Sequence, residues 1–215
     1  MKGSEAFTRI LLAGNEELAV EQALSYAEQY GKHRLYEEVI TPAMYEIGQM
    51  WEENRITVAD EHLATGISDF VLTVVDERNK EQAKNGRTVL LFGVEKEEHY
   101  LGLKMVASLF RDKGWTTRYL GPNLPVESAI AAMNKWSPDV IGVSASMANR
   151  IPDVLSYLEQ LNEQQPHELK VLIGGRFADT VADKVTGFPV EVLQSLTELA
   201  HWLDRYEDVK ADAPV

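Results

Sequence analysis

Cysteine is absent from this chain of 215 residues, which removes disulfides, thiolate metal sites and thioether-linked chromophores from consideration. Long apolar runs are absent too, and none approaches the ~18 residues that a membrane-spanning helix needs. Met1-Lys2-Gly3-Ser4-Glu5 lacks the apolar core of a signal peptide, so a cytoplasmic location is expected. Basic residues are few: 21 Lys and Arg stand against 34 Asp and Glu, for a formal charge of −13. That balance argues against autonomous binding to a nucleic acid, which requires clustered Lys and Arg, and no segment reads as a helix-turn-helix. What is present is apolar content of 45%, enough to fill two small cores at this length.

The apolar spacing changes character near the polar stretch Arg78 to Arg87. Before it the period is helical throughout. Phe7, Ile10, Leu11 and Leu12 begin one helix, with Gly14-Asn15 as its stop; Leu18, Ala19, Ala23, Leu24 and Tyr26 mark a second, ending near Gly31. Leu35, Val39, Ile40, Met44, Ile47 and Trp51 form a third, in which Pro42 is tolerable only as a kink or a helix start. Val58, Leu63, Ile67, Phe70, Val71 and Val74 form a fourth. Short connections between such helices predict a four-helix bundle. After the stretch, strands at 88–94, 116–120, 139–144, 170–173 and 190–193 alternate with helices at 101–113, 126–136, 151–164, 177–185 and 195–207. That alternation predicts a doubly wound parallel sheet of the Rossmann-like or flavodoxin-like kind. The expected organisation is a bundle over 1–80, a linker over 81–87, an α/β domain over 88–207 and a tail over 208–215.

Glu97-Glu98-His99-Tyr100-Leu101-Gly102 directly follows the first strand. Read as E-x-H-x-x-G, it places His99 at the carboxyl end of a parallel strand, where open α/β sheets bind ligands. Glu97 can accept one imidazole N–H and so orient the other nitrogen toward a metal. A lone histidine at a strand end is also compatible with a hydrogen-bonded loop residue. Two markers at the ends of later strands add weight: Ser144-Ala145-Ser146 and Gly174-Gly175 supply hydroxyls and bare backbone where a ligand passes close. Gly121-Pro122-Asn123-Leu124-Pro125 reads as the loop after the second strand.

The segment resembles the D-x-H-x-x-G signature of cobalamin-binding domains, and the serine and double-glycine markers follow in that family's order. The resemblance implies a cobalamin cofactor with His99 as the lower axial ligand of cobalt. It implies Glu97, Gly102, Gly121, Pro125, Ser144, Ser146, Gly174 and Gly175 as further cofactor contacts.

A second constellation lies in the helical half. Trp51 is followed after nine residues by Glu61-His62, across the short segment Glu52 to Ile56. Taken alone, Trp51 could equally be a core aromatic and Glu61-His62 an exposed pair. The arrangement resembles the tryptophan, nine residues, Glu-His pattern of the cobalamin-dependent photoreceptors of the CarH type. In that family the bundle lies over the upper corrin face, and Trp51, Glu61 and His62 would contact the 5′-deoxyadenosyl group. The resemblance implies adenosylcobalamin as cofactor, a cobalt–carbon bond broken by visible light, and a consequent change in interdomain packing and in a protein–protein surface. Repressor-type members carry a histidine directly after the tryptophan; here Glu52 stands there, so capture of cobalt by that residue is excluded. No segment resembles the repressors' DNA-binding head. The layout also resembles the free-standing photocobilins, which bind a bilin besides cobalamin; biliverdin would have to be held non-covalently, since there is no thiol. His33, His167 and His201 fall in polar loop or helix-surface stretches and receive no role.

Three functions are compatible with these residues. The first is a light sensor, not an enzyme, that acts through a protein partner or self-association, without nucleic acid or membrane. The second is the corrinoid methyl-carrier of a methyltransferase system, which must expose cobalt to two enzymes and which a fixed Trp51 would hinder. The third is a flavodoxin-like interaction module that binds no corrinoid.

Overall fold

Helical periodicity in the first third of the chain becomes a bundle in the computed structural model, which describes residues 3–77, 83–164, 169–187 and 189–211. Helix α1 (Gly3–Leu12) buries Phe7, Ile10 and Leu11. The turn after it ends on Asn15, whose side chain accepts from the Leu18 N–H at 3.0 Å and starts α2 (Glu16–Tyr30). The third helix is compound, running through α3 (Lys32–Leu35), a π-helical turn (Tyr36–Ile40) and α4 (Thr41–Glu52). Pro42 explains the irregularity. It has no N–H to give to the preceding turn, and the wider π turn lets the Thr41 N–H reach the Tyr36 carbonyl instead. Helix α5 (Val58–Glu77) opens on a reciprocal cap: the Asp60 carboxylate accepts from the Thr57 N–H at 2.8 Å, and the Asp60 N–H donates to the Thr57 hydroxyl at 3.3 Å. Helix α1 packs on α2, α4 and α5, around a core that includes Phe7, Leu11, Tyr36, Ile40, Ile47, Val71 and Leu72.

In the second half, the near-continuous apolar run of β1 (Thr88–Val94) marks a strand covered on both faces. With β2 (Thr116–Leu124), β3 (Val140–Ser144), β4 (Lys170–Gly174) and β5 (Glu191–Leu193) it forms a parallel sheet of order β2-β1-β3-β4-β5. Leu90, Phe92 and Val94 point to a core shared with α7 (Val126–Trp136), α8 (Ile151–Gln164) and α9 (Ala178–Ala182). Val89 and Leu91 point to the opposite core, shared with α6 (Leu101–Asp112) and α10 (Leu196–Ala211). The sheet is therefore doubly wound, and strand order reverses between β1 and β3, the place where such folds put their ligands.

The structure corrects the sequence reading in two places. Strand β2 runs on to Leu124, so Gly121, Pro122 and Asn123 lie within a strand and not in a loop. Pairing survives through irregularities, with Phe92 opposite Gly121 and Val94 opposite Leu124. Gly121 takes φ +78° and Asn123 φ +55°, values suited to bulges. Pro122 is tolerated because β2 is an edge strand. Helix α9 is shorter than the periodicity predicts, ending at Ala182. The chain divides into two compact units, Met1–Lys80 and Glu81–Val215. Among the described residues, no helix is long and apolar enough to cross a membrane.

Candidate functional site

The segment after β1 folds back tightly. The Glu97 N–H donates to the Val94 carbonyl at 3.0 Å, and Lys96 takes φ +65°. This reversal places the Glu97 side chain inside the protein, with none of its surface exposed, next to the end of β3. One carboxylate oxygen accepts from the His99 N–H at 3.0 Å and lies 2.7 Å from His99 Nδ1. The other accepts from the Ser146 N–H at 3.2 Å. Glu97 thus ties the loop that follows β1 to the loop that follows β3, across the point where the strand order reverses.

The electrostatics follow from that geometry. Burial alone would raise the Glu97 carboxyl. The hydrogen bonds from the His99 ring, the His99 N–H and the Ser146 N–H outweigh it, and the group sits below the ordinary glutamate range. An ionised Glu97 fixes the proton of His99 on Nδ1, which makes Nε2 the nitrogen able to coordinate a metal. The imidazole itself is 52% exposed.

The Ser144 hydroxyl, nearly buried at the end of β3, lies 3.0 Å from the Ser146 hydroxyl. Gly175 takes φ +101°, and a Cβ there would stand 2.7 Å from the Ala145 carbonyl oxygen. Only glycine allows that approach of the backbone after β4 to the backbone after β3. Gly102 lies in the first turn of α6, with nothing within 4 Å of where its Cβ would be. Pro125 directly follows β2 and occupies the N-cap position of α7.

Trp51, Glu61 and His62 belong to the other unit, in the last turn of α4 and the first turns of α5. Trp51 is no core aromatic: its residue surface is 47% exposed. One Glu61 oxygen accepts from the Thr65 hydroxyl at 2.8 Å, and the other lies 3.8 Å from Nε2 of His62, whose side chain is 75% exposed. Glu52 is exposed. His33 pairs with Glu37 at 3.3 Å, His201 is exposed, and His167 lies outside the described residues.

Sequence reasoning missed two side chains that touch the His99 loop. Asn123 Oδ1 accepts from the Lys96 N–H at 2.8 Å, and the Asn123 N–H donates to the Glu97 carbonyl at 3.0 Å. The Tyr157 hydroxyl, from α8, accepts from the Glu95 N–H at 3.1 Å and donates to the Leu124 carbonyl at 2.7 Å. Burial is the main influence pushing the Tyr157 phenol up, so it keeps the proton it donates. Asparagine after Gly-Pro was a signal that could have been used, since asparagine tolerates positive φ; Tyr157 offered none.

The donor set suits a cobalt ion that arrives in its own macrocycle. One imidazole with a buried orienting carboxylate would supply a single ligand to such an ion, and the tight backbone at Gly175 beside two hydroxyls suits a ligand passing between strand ends. Among the described residues no group of three or more ligating side chains could hold a metal alone.

Comparison with known proteins agrees with this geometry. Residues 87–193 match the model of the B12 binding domain, and residues 4–75 match a second B12 binding domain model. The chain is 30% identical over 146 residues to the HTH-type transcriptional repressor CarH of Myxococcus xanthus, covering 67% of this chain and 48% of that protein. It therefore spans about half the length of that relative. It is 28% identical over 168 residues to trimethylamine corrinoid protein 2 of Methanosarcina mazei, covering 75% of this chain and 76% of that one. Its fold is similar to that of the monomethylamine corrinoid protein of Methanosarcina barkeri, with a TM-score of 0.74 at 19% identity, over 93% and 96% of the two chains. With B12 models matching both units and the expected histidine braced at the head of the sheet, this chain belongs to the family of cobalamin-binding proteins.

Proposed function

We propose that this chain is a sensor that holds adenosylcobalamin and converts loss of its upper ligand, on illumination, into a changed protein–protein surface. The observation that carries the reading is the Trp51, Glu61 and His62 set: an indole left exposed and a carboxylate with acceptor capacity to spare at one end of the helical unit. When bound, the cofactor supplies a cobalt–carbon bond that visible light breaks. His99 would hold the cobalt through Nε2, while Glu97 keeps the proton on Nδ1. Ser144, Ser146, Gly174 and Gly175 line the passage between strand ends, and Gly102, Gly121 and Pro125 shape the surface beside it. Trp51 would pack against the adenosyl group. Glu61, with one oxygen engaged by Thr65, accepts from ribose hydroxyls and so favours adenosyl over methyl. If that group were lost, Trp51 and Glu61 would be left without those contacts, and the conformation they favour would change. The chain acts on a protein partner or on another copy of itself, with no catalytic step of its own. Biliverdin, as a second chromophore, would be held without a covalent bond.

A carrier of corrinoid methyl groups is the second reading. It is favoured by a relative named as a corrinoid protein that is matched over 76% of its own length, against 48% of the repressor's. The deciding experiment is the absorption spectrum of the adenosylcobalamin-loaded protein before and after green light, with gel filtration in both states. The sensor reading expects tight dark binding of the adenosyl form, a light-driven spectral change and an altered elution. Equal affinity for methyl and adenosyl forms, with unchanged elution after complete photolysis, favours the carrier.

A further inference from the structure

The three residues between β1 and Glu98 have their backbone N–H groups committed one by one. Glu95 donates to Tyr157, Lys96 to Asn123, and Glu97 to Val94. Val94 ends β1 itself, while Asn123 and Tyr157 come from two other elements, the bulged end of β2 and the middle of α8. Those two elements are themselves joined, because the Tyr157 hydroxyl donates to the Leu124 carbonyl beside Asn123. Asn123 also returns a bond, from its N–H to the Glu97 carbonyl at 3.0 Å.

We propose that Asn123 and Tyr157 are positioning residues that hold the His99 loop in its metal-ligating arrangement, so that the strength of the lower cobalt bond is set from β2 and α8. The proposal rests on the reading of His99 as the lower ligand. Its geometry is specific in residue type. The Asn123 site needs positive φ together with a side-chain acceptor two bonds from Cβ, a combination that asparagine and aspartate supply and glycine only half supplies. The Tyr157 site needs one hydroxyl that both accepts and donates, which phenylalanine lacks. A short segment with φ +65° at Lys96 and no helix or strand of its own depends on such anchors to keep one conformation. Glu97 fixes the imidazole relative to the loop; Asn123 and Tyr157 fix the loop relative to the sheet.

The test uses the full chain labelled with heavy nitrogen and loaded with hydroxocobalamin reduced to its cobalt(II) form. In the paramagnetic resonance spectrum, a doublet reports a protein nitrogen below cobalt, and a triplet reports the cofactor's own base. Asn123→Gly keeps the backbone angle and removes the acceptor; Tyr157→Phe keeps the ring and removes the hydroxyl. Each is expected to lower the ratio of histidine-ligated to unligated cobalt about five- to tenfold, the effect of one buried hydrogen bond, and to speed cofactor release similarly. Asn123→Asp restores the doublet. Melting of the cofactor-free variants separates this from general loosening, which would lower the melting temperature and leave the doublet unchanged. If Tyr157→Phe does not fold, Asn123→Gly decides alone. Wild-type doublet and release rate in the folded variants overturn the clamp while the His99 ligand stands. A doublet that persists in His99→Ala overturns the lower-ligand reading, and the clamp with it.

Discussion

Replacing Glu97 with glutamine keeps the shape of the side chain and removes its charge. In the folded protein both carboxylate oxygens are acceptors, one toward the His99 N–H and Nδ1, the other toward the Ser146 N–H. An amide can serve only one side, and its NH₂ must then face a donor on the other. Leaving a buried donor unsatisfied costs about 1–3 kcal/mol, and a hydrogen bond to a charged group is worth roughly 1.5–3 kcal/mol. The His99 ring is half exposed, so the lower end applies to its share, and Glu97→Gln is expected to destabilise the cofactor-free chain by about 2–3 kcal/mol at neutral pH. The pH dependence adds a sign. Glu97 titrates lower in the folded chain than in the unfolded one, so its contribution is fully present above the unfolded pKa. That contribution is lost as pH falls from about 4.3 through the folded value. Urea unfolding of wild type and variant between neutral and acidic pH should therefore show a gap that narrows as pH falls below about 4.3. A gap below about 0.5 kcal/mol at neutral pH, or one that does not narrow, would refute the reasoning.

Three further outcomes follow from the same structure. Gly175→Ala combines φ +101° with a clash at 2.7 Å, and is expected to cost more than about 1 kcal/mol in chemical denaturation and to slow cobalamin uptake. Trp51→Ala and Glu61→Ala should each reduce the preference for adenosylcobalamin over methylcobalamin in equilibrium binding, by roughly 0.5–3 kcal/mol for Glu61; unchanged preference in both would leave the helical unit without a sensing role. With a charge of −13, the chain should give no sequence-specific shift of DNA in gels, in darkness or after light, and a saturable shift would contradict the assignment of a protein output.

Local patterns made much of this architecture readable. Period-3.6 and continuous apolar runs marked helices and strands because each element buries a defined face. The His99 orientation was readable because Glu97 lies two residues away, within one loop. What escaped depends on contacts between distant residues. Ser146 meets Glu97 across 49 positions, and Tyr157 meets Glu95 across 62, so no local spacing announces either. The Gly-Pro-Asn stretch read as a turn by its chemistry, yet pairing with β1 drew it into the edge of the sheet as a bulged strand. Pro42 marked an irregularity, and its form, a π turn, was decided by which carbonyl the Thr41 N–H could reach.

The most direct test is the absorption spectrum and cofactor release rate of the adenosylcobalamin-loaded chain compared with its His99→Ala variant. Because the ring is half exposed, the variant should stay folded. The account predicts a spectrum shifted away from that of histidine-ligated cobalt, together with release at least about tenfold faster, the equivalent of 1.4 kcal/mol. An unchanged spectrum and an unchanged release rate in folded His99→Ala would contradict it.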